Sequence, residues 1–204
     1  AAAGAAGREV GLDAARLLPY RAAFDAMAPR YVDWLQRRDA DGWCWQAGEV
    51  ERERPADERL PLRLGGRIDR IDRGRGGAVA LIDYKTGAPA ALRSTVCQPL
   101  EDTQLATYAA LLGDGVPPHE VRAMYLALDD RDAPVEVVHP DVGTTAQAFV
   151  DGLAADLREI AAGAGLPALG EGTVCTHCEA RGLCRRDHWR ADDAGDATAE
   201  GAAP

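Results

Sequence analysis

The segment Leu81-Ile-Asp-Tyr-Lys-Thr-Gly87 decides the fold, together with the earlier segment Gly65-Gly-Arg-Ile-Asp-Arg-Ile-Asp72. The unbroken apolar run before Asp83 is typical of a buried central strand. On neighbouring strands, the two segments bring Asp69 and Asp83 to one edge of the sheet. Lys85 shares a face with Asp83, because side chains on a strand repeat every two residues. The sequence therefore predicts two carboxylates and one ammonium group at the end of a central strand.

This combination of side chains is suited to phosphate chemistry. Carboxylates hold hard divalent cations such as Mg²⁺. A bound cation polarises a phosphate and lowers the pKa of a water molecule. An ammonium group beside the reaction stabilises the charge that develops. An Asp-x-Lys pair on a strand is more often a plain exposed pair, but a carboxylate that follows an apolar run is costly to bury without a partner or a metal.

Lysine occurs only once among the 23 basic residues, at Lys85, and the others are arginines. A GC-rich genome that favours arginine codons explains this bias most simply. The remaining lysine then marks a place where an amine is needed and a guanidinium does not serve, because the two groups differ in shape and hydration. Chance survival is the alternative explanation.

The rest of the chain predicts alternating helices and strands. Helical spacing predicts one or two helices over residues 12–38, with a kink or restart at Pro29. Two further helices are predicted over residues 102–112, capped by Asp102 or Thr103, and over 144–162. Predicted strands cover residues 43–54, 60–71, 78–84, 120–128 and 134–138.

Composition and charge exclude several classes of protein. The 204 residues are 47% hydrophobic and 27% charged, as in an ordinary soluble globular domain. No apolar run approaches the roughly 18–20 residues that span a bilayer, and no secretory signal is evident, which favours the cytoplasm. The net charge of −10 argues against a free-standing non-specific DNA-binding protein. The segment from Arg63 to Arg75, however, contains five arginines and only two aspartates. These arginines either form a solvated surface or follow a phosphate backbone.

Three motifs carry a resemblance to a known family: Gly66-Arg-Ile-Asp69-Arg-Ile-Asp, Asp83-Tyr-Lys-Thr-Gly87 and Gln104-Leu-Ala-Thr-Tyr108. Together they resemble the PD-(D/E)XK nuclease superfamily and, more narrowly, the RecB/AddB-type nuclease domain of bacterial helicase–nucleases. The resemblance covers residues 43–189. It implies a restriction-endonuclease-like α/β core, in which helices flank a central mixed sheet, followed by a C-terminal cysteine-rich cap.

The resemblance also implies roles for the motif residues. The catalytic set would be Asp69, Asp83, Lys85, Gln104 and Tyr108. Asp69 and Asp83 would bind Mg²⁺ or Mn²⁺, with the Tyr84 backbone carbonyl as a further ligand. Gln104 and Tyr108, one turn apart on a helix, would orient the site and contact DNA. The alternative for these two is a capped surface helix whose tyrosine lies in the core.

The activity implied is metal-dependent hydrolysis of DNA, as an exonuclease in a helicase–nuclease that repairs double-strand breaks. Its partners would be DNA, bound without sequence specificity, and a helicase domain or subunit. One departure stands out: the family's metal-binding histidine precedes the first strand, whereas the first histidine here is His119. Glu49, Glu51 or Glu53 would be substitutes, although exposed strand positions suit them better. The alternative function is therefore a catalytically incomplete scaffold that binds DNA ends.

Three cysteines close together indicate a metal or cluster site. Cys175, Cys178 and Cys184 follow the spacing C-x2-C-x5-C, and zinc or an iron–sulfur cluster each needs about four such ligands. The resemblance implies a [4Fe–4S] cluster that fastens the C-terminus to the domain. Candidates for the fourth ligand are a cysteine upstream of this sequence, Cys44 (otherwise a packed thiol), Cys97 (otherwise a surface thiol) and His188. With His188 the pattern matches a zinc finger, and the protein would be a zinc-bearing interaction module.

The expected organisation has four parts. An Ala/Gly-rich linker, cut from something longer, covers residues 1–11. The nuclease core covers residues 12–170, and the cysteine-rich segment covers residues 171–189. An acidic tail over residues 190–204 is expected to be disordered.

Overall fold

The fold is that of a computed structural model, which describes residues 7, 9, 11, 13–56, 63–98, 102–128, 132–165, 175 and 178–184. The chain divides into two compact units, Ala1–Ala155 and Asp156–Pro204. The beginning of the predicted second strand and the acidic tail lie outside the described residues. In the described parts of the chain, no helix has both the length and the apolar character needed to cross a bilayer.

A mixed sheet forms the centre of the first unit. Its strands, in their order across the sheet, are β1 (Cys44–Pro55), β2 (Arg63–Arg73), β3 (Val79–Lys85), β4 (Val121–Ala127) and β5 (Val135–Val138). Strands β3 and β4 are parallel, and the other neighbours are antiparallel. The first five residues of β3 are buried, as the apolar run predicts. The structure therefore confirms a central mixed sheet.

Helices flank this sheet, and two of them lie in the chain segment that connects the parallel strands β3 and β4. They are α1 (Ala14–Ala40), α2 (Pro89–Val96), α3 (Gln104–Leu112) and α4 (Val142–Ala161), and a short α5 (Arg181–Cys184) lies in the second unit. One core cluster contains Leu81 of β3 with Leu105 and Tyr108 of α3. The other contains Ile82 of β3 with Trp34 of α1. Alternate residues of β3 therefore pack against helices on opposite faces of the sheet.

The helices add two points to the sequence analysis. Of the one or two helices predicted over residues 12–38, the structure has one, and it runs through Pro29 without a restart. The missing backbone donor of the proline is outweighed because Trp34, beyond it, is buried against the sheet. Helix α2 was not expected, although Pro89 stands in its first turn, a position that proline favours.

A buried ionic network lies between α1 and the sheet. Asp72 is 0% exposed and accepts hydrogen bonds from Arg38 Nε at 2.5 Å and Arg70 Nε at 2.7 Å. Arg38 also donates to Glu136 at 3.1 Å, and its guanidinium lies 5.2 Å from the Trp34 ring. Neither Asp72 nor Arg70 is a surface residue, so Arg70 does not belong to a basic strip along DNA.

Removal of Arg38 should destabilise the fold strongly. In Arg38→Ala the buried Asp72 carboxylate retains Arg70 but loses its second guanidinium, and we expect a loss of about 3 kcal/mol in the free energy of unfolding. Urea denaturation measures this loss. Arg37→Ala is the matched control, since Arg37 is the exposed neighbour and should change stability by less than about 0.5 kcal/mol. Equal effects of the two substitutions would contradict a structural role for the network.

Candidate active site

Asp83 and Lys85 lie at the C-terminal end of β3, on the same face of the strand. Asp83 is 2% exposed, and Lys85 Nζ lies 2.8 Å from its Oδ2 atom. A third of the Lys85 side chain is exposed, whereas the Asp83 side chain is almost fully buried. Apart from the Lys85 ammonium, none of the described residues directs a hydrogen bond at the buried Oδ2 atom. The site thus holds a buried carboxylate oxygen whose partner among the described residues is the Lys85 ammonium.

Asp69 reaches the same place from β2. Its Oδ2 accepts the backbone N–H of Tyr84 at 3.2 Å. The hydroxyl of Tyr108 lies 3.3 Å from Asp69 Oδ1 and 3.0 Å from Asp83 Oδ1, and its proton is donated to one carboxylate at a time. The structure therefore brings together the two carboxylates that the sequence placed at one sheet edge.

The β1–β2 ribbon is irregular close to the site. Ile68 and Ile71 belong to the same core cluster although they are three residues apart, so regular alternation is interrupted between them. In β1 the pairing register shifts between Trp45 and Ala47, and Glu49 has a φ of 53°, a value uncommon for a residue other than glycine. Sequence alternation alone contains no sign of these irregularities.

Gln104 joins the lysine to the carboxylate. Its Oε1 accepts a hydrogen bond from Lys85 Nζ at 2.7 Å, and its Nε2 donates to Asp83 Oδ1 at 2.5 Å. Tyr108, one turn further along α3, is buried beside it. All five members of the predicted catalytic set therefore lie in one connected group. Since the Tyr108 hydroxyl is buried among protein atoms, its geometry favours orientation of the site over contact with DNA.

The electrostatics of the site reflect its burial. Burial raises the pKa of the Asp83 carboxyl above its usual range and the neighbouring charge of Asp69 adds to this, while Lys85 opposes it. Burial and the Asp83 charge also raise the pKa of the Tyr108 hydroxyl, which therefore stays protonated as a donor. Burial destabilises the ionised form of the Asp83 carboxyl, and a bound cation would stabilise that form through its opposite charge.

The donor set fits a hard divalent cation. Two carboxylates, with the predicted Tyr84 carbonyl, would supply oxygen ligands, and Mg²⁺ commonly keeps several water molecules beside one or two carboxylates. In the part of the chain that the structure describes, no three side chains of Asp, Glu, His or Cys come together as a metal-binding group. Glu49 and Glu53 lie at exposed strand positions and pair with Arg67 and Arg63. The Tyr84 side chain points away, and its hydroxyl lies 2.7 Å from that of Tyr31.

The cysteines form no comparable site in the described residues. None of the five is in a disulfide; Cys175 and Cys184 are half-buried, and Cys178 is exposed. Within the part of the chain that the structure describes, these cysteines do not come together as a group of three metal ligands. Cys44 is exposed, contrary to the expected packed thiol, and Cys97 is exposed as expected. His188 lies outside the described residues.

Comparison with known families agrees with the fold. The chain matches the family model of the PD-(D/E)XK nuclease superfamily over residues 4–185. It therefore belongs to that superfamily, and its helix-flanked mixed sheet is a restriction-endonuclease-like fold. No curated protein matches it. Superfamily members are generally nucleases that use divalent metal ions, so nuclease activity and nucleic-acid binding are the functions to test.

Proposed function

We propose that this domain hydrolyses the phosphodiester bonds of DNA in a Mg²⁺-dependent reaction and degrades the strand from an end. The observation that carries the proposal is the buried Asp83 carboxylate, whose pKa burial raises even though the Lys85 ammonium lies 2.8 Å from its Oδ2 atom, and which lies beside the second carboxylate of Asp69. A buried carboxylate left in this state costs folding free energy. A cation bound there would compensate that cost.

Each side chain has a role in this proposal. Asp69 and Asp83 would hold the cation, with the Tyr84 carbonyl beside them. When bound, the cation would supply charge to polarise the scissile phosphate and to favour ionisation of a water molecule. Lys85 would place its ammonium beside the negative charge that develops on the phosphate oxygens. Gln104 and Tyr108 keep the lysine and the carboxylates in position through the contacts described above.

The wider biological role is a second part of the proposal. The order and spacing of the three motifs support a RecB/AddB-type domain that works with a helicase domain or subunit in bacterial double-strand-break repair, in the cytoplasm. DNA would be bound without sequence specificity, because phosphate contacts carry no sequence information directly. Exposed arginines such as Arg52 and Arg67, on β1 and β2, are candidates for those phosphate contacts.

Dependence on a DNA end can be tested directly. We expect Mg²⁺-dependent loss of label from linear duplex or single-stranded DNA, while a covalently closed circle of the same sequence stays intact. Cleavage of the circle at the same rate would exclude an exonuclease and leave an endonuclease. EDTA should stop cleavage of every substrate, because the reaction needs the positive charge of the cation and the oxygen ligands of the site cannot supply it.

A scaffold that binds DNA ends is the second candidate. The observation in its favour is the small ligand set, since the described residues supply no third acidic or histidine side chain. The two candidates differ in metal binding. A nuclease should bind Mn²⁺ in a manner that Asp69→Asn and Asp83→Asn each weaken, whereas a scaffold should bind DNA ends equally well with and without the metal.

We further propose a [4Fe–4S] cluster in a cysteine-rich segment over residues 171–189, separate from a core over residues 12–170. Its support is the spacing of Cys175, Cys178 and Cys184. Protein purified without oxygen should contain about four irons per chain, and Cys178→Ser should lose them. Elemental analysis is the measurement. Zinc without iron would favour the zinc-bearing interaction module and overturn the cluster.

A further inference from the structure

Tyr125 lies with its ring against the ammonium of Lys85. It lies on β4 in register with Asp83 of β3 and is 1% exposed. The Lys85 Nζ atom lies 5.1 Å from the centre of its ring, within the range of a cation–π contact. No motif in the sequence marks this residue, since it reads as one more apolar member of a buried strand.

Asp102 connects this tyrosine to the helix that carries Gln104. The Tyr125 hydroxyl donates a hydrogen bond to Asp102 Oδ2. Asp102 Oδ1 accepts the backbone N–H of Gln104, the first residue of α3, at 3.1 Å. Thr103, at the N-cap position, makes no side-chain cap. Asp102 therefore satisfies a helix donor that would otherwise have no partner, and its negative charge suits the N-terminus of a helix.

Burial keeps this connection in one protonation state. It raises the pKa of the Tyr125 hydroxyl, and the hydrogen bond to Asp102 raises it further, so the hydroxyl remains a donor. Tyr125 and Gln104, at the two ends of this chain of contacts, both contact the Lys85 Nζ atom. The Tyr125 ring lies beneath Lys85, and Gln104, whose helix turn Asp102 holds, accepts from the same nitrogen at 2.7 Å.

We infer that Tyr125 and Asp102 are positioning residues for the Lys85 ammonium. The Tyr125 ring supports the ammonium directly, and the Tyr125 hydroxyl acts together with Asp102 through the first turn of α3. The inference rests on the proposed nuclease function. Neither residue touches the substrate in this account. Both act through Lys85 and Gln104.

A double-mutant cycle tests the catalytic part of the inference. Tyr125→Phe keeps the ring and removes the hydroxyl, and Asp102→Asn removes the acceptor charge. Each should lower kcat for DNA about 10-fold and leave KM unchanged. In a Gln104→Ala background the same changes should cause no further loss, because they act through Gln104. The inference would be overturned if the kcat losses multiply in the double variants, or if the single variants change only KM. Tyr20→Phe, at an exposed tyrosine of α1, is the control and should change nothing.

The single lysine offers a second test that does not depend on activity. In the full chain with ¹³C-labelled lysine, one lysine spin system is expected, from Lys85. The Tyr125 ring should shift its ε-methylene signal upfield. Tyr125→Leu should return that signal to the value of an exposed lysine, while Tyr125→Phe preserves the shift. An unchanged signal in Tyr125→Leu would overturn the inference even if the nuclease is active. A parent protein without nuclease activity, but with the shifted signal, would refute the proposed function alone.

Discussion

Asp83→Asn should abolish cleavage and at the same time stabilise the protein without metal. The cleavage rate should fall by about 10³-fold or more, because one of two metal-binding carboxylates is lost and each such electrostatic contact supplies several kcal/mol to the transition state. Steady-state cleavage of end-labelled DNA measures this effect. Asp151→Asn, at an exposed site on α4, is the matched control and should retain the parental rate.

The gain in stability follows from the sign of the pKa shift. Burial raises the pKa of Asp83 in the folded protein, so its charged form is less favourable there than in the unfolded chain. Above the pKa of the unfolded state, this carboxylate therefore lowers stability, and acidification relieves the cost. Asparagine removes the charge and keeps an oxygen to accept from Gln104 and Tyr108. We expect a gain of about 1 kcal/mol, seen as a Tm higher by about 2–4 °C.

Metal should reverse the order of stability. Mg²⁺ or Mn²⁺ should raise the Tm of the parent, because a ligand that binds only the folded state stabilises it. It should leave the Tm of Asp83→Asn unchanged. A variant that is less stable than the parent without metal, or that responds equally to metal, would show that Asp83 has a structural role only.

Lys85→Arg should fail to replace the lysine, despite the preserved positive charge. The ammonium fits between Asp83 Oδ2 at 2.8 Å and Gln104 Oε1 at 2.7 Å, above the Tyr125 ring. A planar guanidinium is larger, and its donors form a fixed fork. We expect the rate to fall by about 10²-fold in Lys85→Arg and by about 10³-fold in Lys85→Ala. Both variants should keep the parent's fold because Lys85 is partly exposed, but Lys85→Ala should lower the Tm, since the buried Asp83 carboxylate loses its ammonium partner.

Kinetics of the three proteins under single-turnover conditions separate the possible results. Arg93→Lys, at an exposed position on α2, serves as the reverse exchange away from the site and should be neutral. Parental rates in Lys85→Arg would mean that only charge matters at this position. Parental rates in Lys85→Ala would remove the lysine from the mechanism.

The sequence predicted much of the site because the relevant information is local. Alternation along β3 places Asp83 and Lys85 on one face, and the helical repeat places Gln104 and Tyr108 one turn apart. The apolar run before Asp83 identified the central strand. Each of these relations involves residues within one element, whereas the assignment of Gln104 and Tyr108 to the site came from the resemblance to the nuclease superfamily.

The features that were missed depend on contacts between distant segments. Asp72 looks like a surface residue in its own strand, and only the arrival of Arg38 from α1 makes it buried and paired. The irregular pairing of β1 with β2 and the unusual conformation of Glu49 also arise where two strands meet. The contact between Tyr125 and Asp102 likewise joins two elements. Composition and periodicity contain no information on such pairings, which arise when the sheet assembles.

The most direct test of the account is release of label from end-labelled linear DNA in Mg²⁺, by the parent and by the Asp69→Asn/Asp83→Asn double variant. The account predicts steady release by the parent, its complete arrest by EDTA, and no release by the double variant at any metal concentration. Release at the same rate by both proteins would show that the carboxylate pair is not the active site. Absence of release by the parent in both Mg²⁺ and Mn²⁺ would contradict the assignment of this chain as an active nuclease.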